Sequence, residues 1–510
     1  MSMTLSVSVN RERITSPTLH VVGLALMFLA PGLLFSALIE WGSSTSNDEW
    51  PLFISAALCL AVGATLRNAT QLGDVRTVSI FSIVAWTWIA SSVFGALPYL
   101  LGSMFDWSQW DSALFESVSG FSCTGSTVLD DIEANGRGIL MWRQLTQWYG
   151  GMGMVVLAVT VLPYLGVGGL ALMTAEAPGH SSDRLAPRVS ETAKRLWLVY
   201  TGITGAIALT LWIVPGPSLY DSLAHAFTTA ATGGFSPYNS SVGFFDSVVV
   251  EVVLIVGMVV SGMSFALHYR AITGDPGVYR RSADTVAYLW MLAIATVLVW
   301  FINWREGLGS VWTTLRHGAF NLVSLGTSTG YGNVRGHGLA DFVLWAGAAQ
   351  IILLALMVVG GCVGSTAGGI KTYRALIGVK HMARELRRLR HRQGIFPIKL
   401  GPEAVPEEIV ASALAFLILF TGFLVIGTLS VAATGADLLT AASAVISAMS
   451  NMGPALGEAG PTANFTVFTR PARMILAALM LIGRLEIYAV MLMFASTVRR
   501  VRHARRSLTV

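Results

Sequence analysis

One pattern recurs four times along this chain and limits the folds open to it. Each unit has a long apolar segment, a short semi-polar segment, a glycine-bearing turn and a second long apolar segment. Internal repetition of this kind constrains an architecture before any single residue is weighed. The long segments lie near 77–102 and 139–165, 194–215 and 244–269, 284–303 and 339–378, and 408–432 and 468–499. The short segments lie near 110–122, 217–230, 310–326 and 436–449. Two further apolar segments, about 18–40 and 51–66, come first. A helix needs about 20 apolar residues to cross about 30 Å of hydrocarbon. Only helices and closed barrels satisfy their backbone in lipid, and these runs are too long for barrel strands. The expected fold is an all-α integral membrane protein, with four helix–pore-loop–helix repeats around one pore and two N-terminal transmembrane helices. The divisions are 1–70 for the N-terminal pair, then 71–170, 171–275, 276–395 and 396–510 for the repeats.

Composition fits this reading. The chain is 54% hydrophobic and 12% charged, where soluble domains carry about 25% charged residues. The net charge of +5 does not point to nucleic acid. The basic residues gather in short loops and at the C-terminus, as the positive-inside rule requires. Cys59, Cys123 and Cys362 all fall in apolar or membrane-depth segments and imply no disulfide framework. Arg11 and Arg13 precede an apolar run, as in a signal peptide, but the run is too long and lacks an obvious cleavage site. A retained first helix is expected.

Loop charge sets the expected orientation. Basic residues mark the N-terminus (Arg11, Arg13), the stretch with Arg184, Arg188, Lys194 and Arg195, and the turn with Arg270, Arg280 and Arg281. They also crowd 371–392 and the tail from Arg499 to Arg506. With ten spanning helices these all reach one side, read as cytoplasmic; the cell inner membrane is the expected location. Acidic loops (Glu40, Asp48, Glu49, Asp106, Asp111, Asp130, Asp131, Glu133) mark the other side. The short segments cannot span, so they and their turns re-enter from outside. Irregular backbone at membrane depth is tolerated only when buried in protein or lining water.

The turns carry the chemistry. They read Cys123-Thr124-Gly125-Ser126, Thr232-Gly233-Gly234-Phe235, Ser328-Thr329-Gly330-Tyr331-Gly332 and Asn451-Met452-Gly453-Pro454. Backbone carbonyls can replace the hydration shell of potassium without net charge. Aiming successive carbonyls at one axis needs backbone angles that glycine takes cheaply. The third turn is close to the potassium-channel sequence Thr-Val-Gly-Tyr-Gly. The predicted filter is Cys123, Thr124, Gly125, Thr232, Gly233, Gly234, Ser328, Thr329, Gly330, Asn451, Met452 and Gly453. Helix packing is the competing account of any single glycine, and it suits Gly150, Gly151 and Gly153.

The segment 339–378 would be about 60 Å long as one helix, about twice what the bilayer core needs. Its middle holds Gly360, Gly361, Gly364, Ser365, Thr366, Gly368 and Gly369 and is expected to break at membrane depth. A tightly packed kink with no gating role is the alternative. Arg484 sits inside the last apolar segment, where a cation is costly. Carbonyls or Glu486 should receive it; a snorkelling arginine is disfavoured by the fifteen residues that separate it from Arg499. Lys371 could reach the interface. Glu116, His225 and His317 lie on or near the short helices, where a local structural role is as good as a functional one.

These stretches resemble the Trk/Ktr/HKT superfamily of potassium transporters, and within it the Trk pore subunits. The resemblance rests on Phe115 to Leu129, Trp142 to Pro163, His225 to Ser236, Gly361 to Lys371 and Gly483 to Tyr488. The two extra N-terminal helices favour Trk over Ktr. Gly125 stands where sodium-passing plant relatives often have serine. Ser126 and Pro454 stand in the aromatic position of a channel filter, so a pore less symmetric than a four-fold channel is expected. The resemblance implies a gate in the Gly360–Gly369 loop with Arg484 beside it. It also implies a homodimer and a separate cytosolic nucleotide-binding regulatory subunit of the TrkA kind, with 380–392 and the tail as docking surfaces. Those surfaces could equally be topology signals on anionic lipid. No nucleotide motif lies in this chain, so no cofactor is expected beyond the transported K+.

A sodium- or proton-coupled secondary transporter is the rival within transport, but it usually shows inverted halves rather than four like units. An embedded metalloenzyme would need clustered ligands, and the nine histidines are scattered.

Overall fold

The computed structural model describes residues 14–43, 46, 48–72, 77–160, 185–335, 338–391, 394–401, 403–488 and 490–491. Arg11, Arg13, Arg184, Arg392, the Arg499–Arg506 tail and the side chain of Arg188 lie outside the described residues, as do 161–165 and 492–499.

Helices α1 (Pro17–Ser43) and α2 (Glu49–Ala69) form an antiparallel pair. Gly23 and Gly63 bring them together: a Cβ on either would lie 2.7 or 2.6 Å from the other's carbonyl oxygen. Small residues at such crossings are what helix pairing in lipid exploits. Short strands β1 (Ile14–Thr15) and β2 (Thr70–Gln71) pair in parallel at the outer ends of this hairpin.

The rest of the chain follows the long–short–long order. First come α3 (Thr77–Gly95) with its continuation α4 (Leu97–Leu101), short α5 (Trp110–Phe121) and α6 (Arg137–Thr160). Then come α7 (Leu185–Ile213), short α8 (Leu219–Ala230), α9 (Val248–Ser261) and α10 (Phe265–Ile272). A four-residue link, α11 (Val278–Arg281), leads to α12 (Ala283–Arg305), short α13 (Val311–Gly326), α14 (Gly347–Val359) and α15 (Thr372–Arg390). Last are α16 (Glu407–Ala432), short α17 (Leu438–Ser450) and α18 (Arg470–Arg484).

The two classes of helix differ in burial for a clear reason. On α12 and α16, residues such as Trp290, Val297, Ile418 and Leu429 are exposed, as befits helices that are apolar all round and face lipid. The short helices are enclosed by protein and bury polar residues, among them Ser119, Thr228, Asn321, Ser324 and Ser447. Side-chain caps start three of them: Ser218, Ser310 and Asp437 accept backbone N–H groups of the first turn. Such caps satisfy donors that the helix itself leaves free.

Three expected helices are not continuous. The segment 244–269 breaks between α9 and α10 with a 98° bend. The segment 339–378 becomes helical only at Gly347 and opens between Val359 and Thr372. The last long helix stops at Arg484, and Glu486 takes a left-handed φ of 60°. By length and composition, six helices among the described residues can cross a membrane, or seven counting the bent pair. The second helices are the short or polar ones: α14 and α18 have 13 and 15 residues, and α6 carries Arg143, Gln144 and Gln147.

Candidate functional site

The four short helices end alike. The residue after the last helical turn is left-handed in each: Cys123, Thr232, Ser328 and Asn451, with φ of 55°, 51°, 59° and 53°. Its N–H bonds the carbonyl three residues back, at 2.9, 3.1, 3.1 and 3.4 Å respectively. The next residue's N–H bonds the carbonyl five back: Thr124 to Ser119, Gly233 to Thr228, Thr329 to Ser324 and Met452 to Ser447, at 2.8–2.9 Å. This is a Schellman ending four times over. A second left-handed residue follows two places on, and it is glycine every time: Gly125, Gly234, Gly330 and Gly453, with φ from 78° to 96°.

These glycines are also where the turns meet. A Cβ on Gly125 would lie 2.2 Å from the Gly233 oxygen. On Gly234 it would lie 2.0 Å from the Thr329 oxygen, and on Gly330 2.1 Å from the Met452 oxygen. On Gly453 it would lie 2.9 Å from the Thr124 oxygen, which closes the ring. The last repeat also reaches the first through Phe465 N–H to Thr127 O at 2.8 Å and an Arg473–Asp111 ion pair at 2.8 Å. A cavity of about 150 Å³ opens above the ring, lined by Ser126, Asp130, Gly234, Gly330, Gly453 and their neighbours.

Different side chains brace each turn from behind. Gln147 of α6 donates to Gly233 O at 2.7 Å and accepts from Phe235 N at 3.0 Å. One turn away on α6, Arg143 donates to Ser236 O and lies over the Phe235 ring. Arg143 is paired with Glu116 at 2.5 Å, and both are buried. Glu116 also accepts from Thr127 Oγ1 and Val128 N–H at 3.0 Å. It thus ties down the chain beyond the first turn, instead of offering a free charge at the mouth. Tyr331 donates to His225 O and shares hydroxyl contacts with Thr228 and Thr229. His225 itself bonds Asp221 O and Ser236 Oγ, a structural role. His317 Nδ1 is buried without a partner among the described residues.

Below the ring lies the loop between α14 and α15. Its neck is closed by Ile370 N–H to Val358 O and Lys371 N–H to Val359 O, at 3.0 and 2.9 Å. Left-handed Gly360, Gly364 and Gly369 turn the backbone, with φ of 70°, 77° and 76°. The loop's outer edge fills the break in the second repeat: Cys362 N–H donates to Gly262 O and Phe265 N–H to Gly364 O. Thr366 Oγ1 reaches Ala230 O and Ser261 O, and Thr232 Oγ1 lies 3.2 Å from it. Gly368 N–H donates to Ser328 Oγ at 2.6 Å, and its Cα packs so closely that a Cβ would lie 2.0 Å from Ser450 O. Gly361 abuts Ala367, and Ser365 Oγ donates back to Cys362 O.

Arg484 completes the layer. It is 2% exposed. It donates to Thr366 O at 2.7 Å, to Gly150 O at 3.1 Å and toward Cys123 Sγ at 3.1 Å. Carbonyls receive it, while Glu486 pairs with Arg374 instead. Lys371 does not reach an interface: it is 3% exposed and bonds Ala367 O. Arg374 and Arg384 likewise face inward, Arg384 toward Glu407. On α15 the exposed cations are Arg387, Arg388 and Arg390. The glycines assigned to packing do pack: a Cβ on Gly150, Gly151 or Gly153 would lie 2.0, 2.7 or 2.7 Å from Phe121 O, the Tyr200 hydroxyl or Trp88.

Sequence reasoning missed Arg143, Gln147, the Arg374–Glu486 pair and the second-repeat break. The one available signal was a polar i, i+4 pair, Arg143 and Gln147, inside an apolar stretch.

Apolar helices with outward-facing hydrophobic side chains, enclosing re-entrant polar turns, define a multi-pass membrane protein. A family model described as "Cation transport protein" (TrkH) matches residues 51–282 and 285–500. The chain belongs to this TrkH family. It is 36% identical over 491 residues to the Trk system potassium uptake protein TrkH of Salmonella typhimurium, covering 94% of this chain and 98% of that one. It is 37% identical over 490 residues to TrkH of Halomonas elongata, covering 93% and 97%. The crystal structure of the potassium transporter TrkH from Vibrio parahaemolyticus matches with a TM-score of 0.84 at 30% identity, covering 93% of this chain and 97% of that one.

Proposed function

We propose that this chain carries potassium into the cell through a filter of backbone carbonyls, with the four repeats 71–170, 171–275, 276–395 and 396–510 around one pore. The observation that carries the reading is the ring of Gly125, Gly234, Gly330 and Gly453, each left-handed and each against the next turn's carbonyl. A closed ring of uncharged dipoles binds a dehydrated monovalent cation and lets it leave. The Gly360–Gly369 loop and Arg484 form the gate beneath it. The names of the relatives support potassium as the ion. The reading includes the cell inner membrane with both termini inside, a homodimer, and a cytosolic nucleotide-binding partner on the exposed arginines of α15.

Growth of a potassium-uptake-deficient strain on limiting potassium, with and without this chain, tests the activity. Gly125→Ser tests the filter. Its Cβ would press on the Gly233 oxygen at 2.2 Å from a backbone with φ of 86°. Vesicle flux is expected to show a lower potassium/sodium ratio. An unchanged ratio in a folded variant refutes the filter assignment.

A further inference from the structure

We infer that Ser126 and Ser447 withhold one glycine carbonyl from the ion, so that at this level the filter coordinates potassium through three repeats instead of four. This rests on the reading of the turns as a filter. A carbonyl oxygen has two acceptor lone pairs, and a serine hydroxyl has one proton to give. Ser126 Oγ donates to Gly453 O at 2.8 Å, and Ser447 Oγ donates to the same oxygen at 2.8 Å. Both acceptor positions are filled. The matching oxygens of Gly125, Gly234 and Gly330 receive no protein donor among the described residues.

The asymmetry follows from two sequence differences. Ser447 stands four residues before its left-handed residue, where the other short helices have Ser119, Thr228 and Ser324. Thr228 is taken by the Tyr331 hydroxyl, and Ser324 donates to Tyr331 O. Ser119 Oγ is buried without a partner among the described residues. Only in the fourth repeat does this hydroxyl meet the glycine carbonyl. The second donor comes from the neighbouring repeat, because Ser126 occupies the place that Phe235 and Tyr331 fill in repeats two and three. Those aromatic rings pack outward and offer nothing to the ring: Phe235 lies under Arg143, and the Tyr331 hydroxyl turns to His225 O.

Ser126 is thereby a specificity-determining residue. Preference between potassium and sodium depends on the number and field strength of the coordinating dipoles. Ser126→Ala returns one lone pair of Gly453 to the pore, and Ser126→Ala with Ser447→Ala returns both. In proteoliposomes holding the full chain, the single change is expected to raise the potassium/sodium flux ratio by about 3- to 10-fold, the equivalent of one neutral hydrogen bond released. The double change raises it further. Ser126→Thr, which restores a hydroxyl, brings the ratio back towards wild type. Should Ser126→Ala fail to insert, Ser447→Ala makes the same release from within the fourth repeat. Wild-type ratios in both alanine variants, alongside an altered ratio in Gly125→Ser, overturn the withheld carbonyl and leave the filter standing. A ratio unmoved by Gly125→Ser as well removes the filter reading, and this inference with it.

Discussion

Replacing Arg484 with alanine removes the one side chain among the described residues that bonds the loop beneath the turns to the first repeat. Its guanidinium joins Thr366 O in the loop to Gly150 O on α6 and Cys123 in the first turn. Hydrogen bonds to a charged group contribute about 1.5–3 kcal/mol each, against about 0.5–1.5 for neutral ones. Other bonds hold the loop, among them Cys362 N–H to Gly262 O, Phe265 N–H to Gly364 O, Gly368 N–H to Ser328 Oγ, Thr366 Oγ1 to Ala230 O and Val363 N–H to the Asp284 carboxyl group. All but the Asp284 bond join neutral groups, so the arginine bond outweighs each of the neutral ones. If the loop is the proposed gate, loss of the arginine bond is expected to shift the closed–open balance by about 10- to 150-fold. Removing a buried positive charge from the path below the ring raises cation flux in the same direction. Basal potassium flux in reconstituted vesicles is therefore expected to rise by at least tenfold in Arg484→Ala. Arg484→Lys should fall between, since a lysine keeps the charge but loses the planar fork that spans two carbonyls. Wild-type basal flux in a folded Arg484→Ala protein refutes the argument, and the loop is then a packing kink.

Three more outcomes follow from the geometry. Glu116→Gln leaves the Arg143 charge buried beside a neutral partner, so stability in detergent is expected to fall by about 3–5 kcal/mol, read as a lowered thermal midpoint; a midpoint unmoved means that water reaches the pair. Gly483→Ala would set a Cβ 2.1 Å from Met449 O, push α18 away from α17 and displace Arg484; raised basal flux without loss of insertion is the expected result. Neutralising Arg387, Arg388 and Arg390 should reduce co-purification of a cytosolic nucleotide-binding partner while leaving membrane insertion intact, and undiminished binding rejects α15 as its docking site.

The sequence carried the register of the turns because one physical demand acts at one position in each. A left-handed residue against a neighbouring carbonyl leaves no room for a Cβ, so Gly125, Gly234, Gly330 and Gly453 stand out. The left-handed conformation of the first position of each turn did not stand out. Cys123, Thr232, Ser328 and Asn451 share a φ near 55° but no chemistry, although a left-handed L-residue costs about 1–2 kcal/mol. Each has a different compensation: Arg484 at Cys123, Thr366 at Thr232, Gly368 N–H at Ser328, and Thr124 with Met480 O at Asn451. The break at Gly262 was hidden for a similar reason. Its freed carbonyl is satisfied by Cys362, a hundred residues onward, so nothing local marks it.

The same contrast explains why one backbone shape needs four unlike supports. The turns present equivalent carbonyls to one another, but each is flanked by a different second helix. Behind turn two stands Gln147, behind turn three the Tyr331 hydroxyl cluster, and behind turn four Ser447 with Ser126 reaching across. A homotetrameric ring would repeat one support four times. A ring made from a single chain can vary each support separately, provided every buried polar group still finds a partner. Backbone symmetry then coexists with side-chain asymmetry, and on the proposed filter reading the second decides which carbonyls remain free for an ion.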